Sequence, residues 1–152
     1  MKGKIFNAQE VQAIIAGLKV QFKEACKRQP QGEIEKPYVL RQAGITEYNY
    51  PFGKIPYQVG QKIFVKEKFA YIQNPEDCAR ESEPCEIHYK SDYDAEGFDK
   101  QDIEAVGAEF LSASKMLEWA SRLTLQIKEI GVEKDNDLWV WCINFEVVNA
   151  NK

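Results

Sequence analysis

Histidine is almost missing from this 152-residue chain: His88 is the only one, and no nucleophile neighbours it in sequence. That argues against a histidine-based catalytic triad. Glycine-rich phosphate loops are absent, with neither G-x-x-x-x-G-K-[ST] nor G-x-G-x-x-G anywhere. Long apolar runs are absent too. The longest, such as Leu138–Ile143, fall far short of the ~20 residues that span a bilayer. The opening Met1-Lys-Gly-Lys leads into no hydrophobic stretch or small-residue cleavage site, so no signal peptide is expected and the chain reads as cytoplasmic. The four cysteines (Cys26, Cys78, Cys85, Cys142) then read as reduced thiols. Basic excess is lacking, since the formal net charge is −4. A weakly acidic whole argues against indiscriminate duplex binding but leaves room for a local basic groove.

What is present is an ordinary globular composition, 44% hydrophobic and 29% charged, at a length that makes about one domain. Charge is segregated. Residues 1–41 hold eight basic and four acidic groups, whereas 76–104 hold three basic and eleven acidic. The reading is a single domain over 1–152 with a long Pro/Gly/Gln/Tyr-rich loop at about 28–58 and an acidic loop at about 91–104.

Lys4–Phe6 predicts a short strand. Asn7 followed by Glu10 is close to a capping box, and Val11, Ile14, Ile15 and Leu18 form one apolar helical stripe that Gly17 ends. From Lys19 to Lys27 the period changes to two. Val20, Phe22 and Cys26 are expected to face the core, with Lys19, Gln21, Lys23 and Lys27 outside. A second alternating strand is expected over Lys62–Ile72, with a short one at Ile87–Lys90, a helical turn within 108–119 and two strong strands at the end. One helix and six or so strands without βα alternation predict a mainly β, α+β fold, a barrel with a helix packed on it.

Metal patterns are weak. Cys78, Cys85 and His88 lack the close pairing of a zinc site. Asp92-Tyr-Asp94-Ala-Glu96-Gly97 begins like a calcium loop, but its twelfth position is Ile103 rather than glutamate. No metal or cofactor is expected. The basic strands are more informative: Lys19, Lys23 and Lys27 on one, Lys62, Lys66 and Lys68 on another, with Tyr48, Tyr50, Phe52 and Tyr57 between them. Such a set suits phosphates and unpaired bases, although lysines equally protect a sheet edge. Glu67 stands in register with Ile63, Val65, Phe69 and Tyr71. A carboxylate there must line a polar cleft or meet a cation such as Lys19 or Arg122.

Five blocks in order resemble the ASCH-domain proteins of phages and prophages, over almost the whole chain. They are Gln12-Ala-Ile-Ile-Ala-Gly17-Leu-Lys19-Val-Gln21-Phe-Lys23, then Gly60-Gln-Lys-Ile-Phe-Val65-Lys-Glu67-Lys-Phe69-Ala70, then Ile87-His-Tyr89-Lys90. Met116-x-x-Trp119-Ala-Ser-Arg122-Leu-Thr-Leu and the terminal Trp139-Val-Trp141 with Phe145 complete the series. The resemblance implies a PUA-like β pseudo-barrel with the N-terminal helix packed across it and a cleft between them. It also implies recognition of RNA or a nucleotide, with Lys19, Lys23, Glu67, Trp119 and Arg122 lining or supporting the cleft. Some small relatives are amidohydrolases on acetylated cytidine, which makes Lys19 and Glu67 the catalytic candidates. Against that, the two threonine positions of the family's G-x-K-T-x-T-x-R pattern are Val20 and Phe22, which supply no nucleophile. Three readings follow: an RNA- or nucleotide-binding domain first, an amidohydrolase or nuclease on modified nucleosides or RNA second, and a phage accessory protein acting through protein contacts third. None involves a membrane.

Overall fold

The computed structural model describes residues 1–29, 39–40, 48–49, 53–71, 87–97 and 109–150. Strand β1 (Lys2–Ile5) leads into α1 (Ala8–Ile15), followed by β2 (Gln21–Ala25), β3 (Val39–Leu40), β4 (Tyr48–Asn49) and β5 (Gly53–Lys54). Then come β6 (Lys62–Lys66), β7 (Phe69–Tyr71), β8 (Ile87–Tyr89), α2 (Lys90–Glu96), β9 (Leu123–Asp135) and β10 (Leu138–Ala150). The result is mainly β with two helices, an α+β fold. No helix among the described residues is long and apolar enough to cross a membrane.

The principal sheet runs β1-β6-β9-β10-β2, with β3 also on β9. Its spine is the β9–β10 hairpin. Asn136 and Asp137 both adopt positive φ (48° and 66°), as the tight two-residue turn joining right-twisted strands requires. Alternation places Leu125 with Ile127 and Ile143 with Phe145, and an extra residue in β9 between Ile127 and Glu129 brings Ile130 to the same side, so that all five join one buried cluster with Phe22, Ile63 and Val65. Burial on this scale is the main stabilising term of the fold.

Strands β1 and β2 are the edges of this sheet, and no backbone ladder joins them among the described residues. Side chains do. The Lys4 ammonium lies 3.0 Å from Glu24, and the Phe6 and Phe22 rings meet edge-on at 5.8 Å. The Tyr57 hydroxyl donates to Glu24 at 2.6 Å, while the Lys2 ammonium sits 4.2 Å from the Tyr57 ring centre. Tyr57, expected as an exposed stacking ring, is therefore buried (4% exposed) in this seam. Burial first, and the Glu24 bond second, push its hydroxyl pKa up. The side chains of Tyr48, Tyr50 and Phe52 lie outside the described residues.

Asn7 caps α1 as its sequence predicts: Glu10 N–H donates to Asn7 Oδ1 at 2.8 Å, and Asn7 N–H donates to Glu10 Oε1 at 3.1 Å. The expected apolar stripe is only half buried. Val11 and Ile14 are in the core, but Ile15 is 49% and Leu18 83% exposed. The cause is the helix end: α1 stops at Ile15, and Gly17 turns the chain out at φ +75°, a conformation glycine adopts without a Cβ penalty. Strand β2 consequently starts at Gln21. Phe22 and Cys26 point inward, but Val20 is 57% exposed, not buried as the alternation predicts.

The strand expected over Lys62–Ile72 is two strands in different sheets. Strand β6 ends at Lys66, and β7 pairs with β8 instead. Glu67 is the reason. An in-register carboxylate cannot join the apolar face, so the chain leaves the sheet where Glu67 turns to meet Arg122. A second small cluster of Phe69, Met116 and Ala120 forms beneath β7 and β8. The acidic segment expected as a loop at 91–104 opens instead as α2, which carries a Lys90–Asp94 pair one turn apart and ends at Gly97 (φ +80°). The rest of that segment, and most of 28–58, lies outside the described residues. The helical turn expected within 108–119 is two 3-10 turns, Ala113–Lys115 and Glu118–Ala120.

Of the four cysteines, Cys26 and Cys142 lie in the described part, both buried. Burial pushes each thiol up to about 11. At pH 8 each should therefore react with iodoacetamide about two orders of magnitude more slowly than a free thiol near 8.5. Peptide-resolved mass spectrometry before and after urea checks this; comparable native and denatured rates would contradict it.

Candidate functional site

Two places carry the chemistry, both beside α1. The first is a buried ion cluster. Arg122 follows the turn Glu118–Ala120, which is fastened to β6 by a Ser121 hydroxyl that donates to the Val65 carbonyl at 2.7 Å. Its guanidinium donates to Glu67 through Nε (3.2 Å) and Nη2 (3.1 Å), to Asp92 through Nη1 (2.8 Å) and to Ser91 Oγ (2.9 Å). The Tyr89 ring lies 4.1 Å beneath it, a cation–π arrangement. From α1, Gln12 Nε2 donates to Ser91 Oγ (3.1 Å) and Asp92 Oδ1 (3.0 Å). The cluster thus ties α1 to α2, β7 and the entry to β9.

Glu67 is 2% exposed. Burial pushes its carboxyl up, and the Arg122 and Ser91 bonds pull it down only in part. Arg122 is raised as well: burial lowers it, but the bonds to Asp92 and Glu67 more than restore it. A raised carboxyl favours the neutral form and a raised guanidinium the charged one. Geometry decides for the ion pair, because both Glu67 oxygens accept from the same guanidinium. Tyr89, buried beside the pair, is raised to about 12 and its hydroxyl donates to the Ala120 carbonyl at 2.8 Å. A carboxylate so engaged positions its surroundings rather than acting as a mobile base.

The second place is a groove of about 340 Å³ at the C-terminal end of α1, between Ile14 and Ile15 on one side and Leu123, Phe145 and Val147 on the other. Lys19 and Val20 line it. The Lys19 ammonium rests 3.7 Å from Glu10, long for a hydrogen bond, so the ion pair leaves it donors to offer a ligand.

The five residues singled out in the sequence therefore divide. Glu67 and Arg122 are joined, Arg122 being one of the two cations the sequence offered. Lys19 lies in the separate groove, paired with Glu10 rather than with Glu67. Lys23 lies on the exposed outer face of β2 with Glu133 (2.6 Å) and Asp135 (3.8 Å), and the Glu133 bond raises it. Trp119 stacks on Tyr71 (6.0 Å, 18°) against the second apolar cluster. Sequence reasoning gave no site role to Gln12, Ser91 or Tyr89 and placed Asp92 in an acidic loop. The available signal was a serine and an aspartate directly after the short strand at Ile87. Among the described residues no group of three His, Cys, Asp or Glu is placed to hold a metal. Comparison with protein-family models, with curated proteins and with solved structures gives no match.

Proposed function

We propose that the chain is an ASCH-type, PUA-like domain of phage or prophage origin that binds RNA or a nucleotide in the groove beside α1. The observation that carries this reading is the composition of the groove. An ammonium, Lys19, stands among apolar side chains left open to solvent: Ile15 at 49%, Val20 at 57% and Val147 at 40% exposed. Apolar walls accept the face of a base while one cation meets a phosphate. The side-chain seam between β1 and β2 supports the pseudo-barrel that the resemblance implies, and α1 lies at the groove, as the resemblance requires.

The exposed Val20 bears on the choice between binding and hydrolysis. It occupies the first threonine position of the ASCH pattern and faces the groove, where it offers methyl groups and no hydroxyl. Phe22, at the second such position, is in the core. Binding is the better reading.

The test is a fluorescence titration against RNA, single-stranded DNA and duplex DNA at two salt concentrations. RNA should bind with a shallow salt slope, and Lys19→Ala should weaken it and reduce the slope by about 0.7, the share of one single-strand phosphate. An unchanged Lys19→Ala titration would overturn the assignment of the groove. Lys19-dependent release of acetate from N4-acetylcytidine would install the hydrolase reading instead.

A further inference from the structure

The core side of the principal sheet is left open at the groove. Val147 stands opposite Leu125, and directly opposed residues share a face of the sheet. Leu125 is wholly buried there, yet Val147 is 40% exposed. Helix α1 would have to run on to cover it, but Gly17 turns the chain away. Ile15 and Val20, both half exposed, continue the apolar surface across the groove. Beside it stands Leu18, at 83% the most exposed large hydrophobic side chain among the described residues. Gly17, Lys19 and Val20 line the groove, whereas Leu18 between them does not. Its side chain stands clear of the hollow and cannot fill it. Contiguous open apolar surface of this kind marks a contact site.

An apolar knob next to an apolar hollow is complementary to itself. A two-fold axis beside the groove would send each copy's Leu18 into the other copy's groove, the geometry of an isologous contact. Charge fits the same axis. Lys19 lines the helix side of the groove and Glu146 the sheet side, so the axis sets each Lys19 against the partner's Glu146. Their pairs within the chain, Lys19–Glu10 at 3.7 Å and Lys128–Glu146 at 2.8 Å, reach solvent; such pairs are worth little and compete weakly with a new contact. We propose that the groove docks a second copy of this chain, in a dimer held by reciprocal Leu18 insertion and two Lys19–Glu146 contacts. A patch of so few side chains falls short of the ~800 Å² per partner of a standard interface, which makes the dimer weak and reversible. The dimer does not need the RNA reading of the groove. Where it rests on that reading, RNA and the second copy exclude each other, and the dimer is the resting form.

Sedimentation velocity of the full chain across the micromolar range tests it. The mass should rise with concentration from 17.5 kDa toward twice that value. Leu18→Asp, at an exposed position outside the core, should weaken association more than about a hundredfold, because two leucines lose their burial. Lys19→Glu and Glu146→Lys should each weaken it about tenfold by setting like charges together. An equimolar mixture of those two variants should associate as the wild type does, since both contacts across the axis then join opposite signs. A monomer throughout the range, wild-type association by Leu18→Asp, or a mixture no tighter than either variant alone overturns the proposal. RNA binding by a chain that stays monomeric rejects the dimer and leaves the groove to RNA. A dimer that takes up RNA without dissociating upholds the dimer and removes RNA from the groove.

Discussion

Arg122→Met should destabilise the protein by about 3–5 kcal/mol, the usual consequence of leaving a buried charge without its partner. Glu67 would keep one bond, from Ser91, in a place that is 2% exposed. Its carboxyl, which burial already pushes up, would rise further and take a proton. The pH dependence then has a definite sign. With a folded pKa above the unfolded one, the neutral carboxyl contributes stability at low pH that is lost as pH rises through the folded value. The deficit of Arg122→Met against the wild type should therefore grow from about pH 4 toward neutrality. The double variant Glu67→Leu/Arg122→Met removes both charges and should be more stable than the single one. Urea denaturation at several pH values measures all of this. A loss below about 1 kcal/mol, the level of exposed pairs, would mean that Glu67 is not held as a buried ion.

Phe22→Ala should lower stability by about 3–5 kcal/mol, the range for removing a buried aromatic ring. Phe22 is 4% exposed and meets Phe6, Tyr57 and Phe145 at ring distances of 5.5–5.9 Å, with the Lys4 ammonium 5.1 Å from its ring centre. It is the side chain on which the two sheet edges converge. Hydrogen exchange should accelerate first in β1 and β2, because they have no ladder with each other. Phe22→Thr should be no better, since it buries a hydroxyl in an apolar cluster. Uniform exchange changes across the sheet, or a loss below about 1 kcal/mol, would show that the seam contributes little.

Local rules made several elements legible. The capping box at Asn7, the glycine turn-out at Gly17 and the turn of the final hairpin depend on near neighbours, and each stands where its residues place it; alternation along that hairpin is interrupted by two register shifts. The inward side of β2 was legible at Phe22 and Cys26 for the same reason. At Val20 the rule failed because the strand had not yet begun: period two holds only inside the ladder. It failed again at Glu67, where apolar alternation ran straight through a break that only a distant cation explains. Glu67 and Arg122 are 55 residues apart in the chain, and no window of sequence reports that separation closing.

The sequence by itself determined the mainly β character, the helix that starts at Asn7, the strand faces and the misfit of one carboxylate among apolar neighbours. These follow from propensity, capping and periodicity, which act over a few residues. Tertiary structure alone decided which cation meets which carboxylate, so that Lys19 meets Glu10 and Glu67 meets Arg122, and that the edge strands face each other through Phe6–Phe22 and Lys4–Glu24. Long-range pairing depends on which surfaces the folded sheet brings within a few ångströms, and that is a property of the whole packing rather than of any segment.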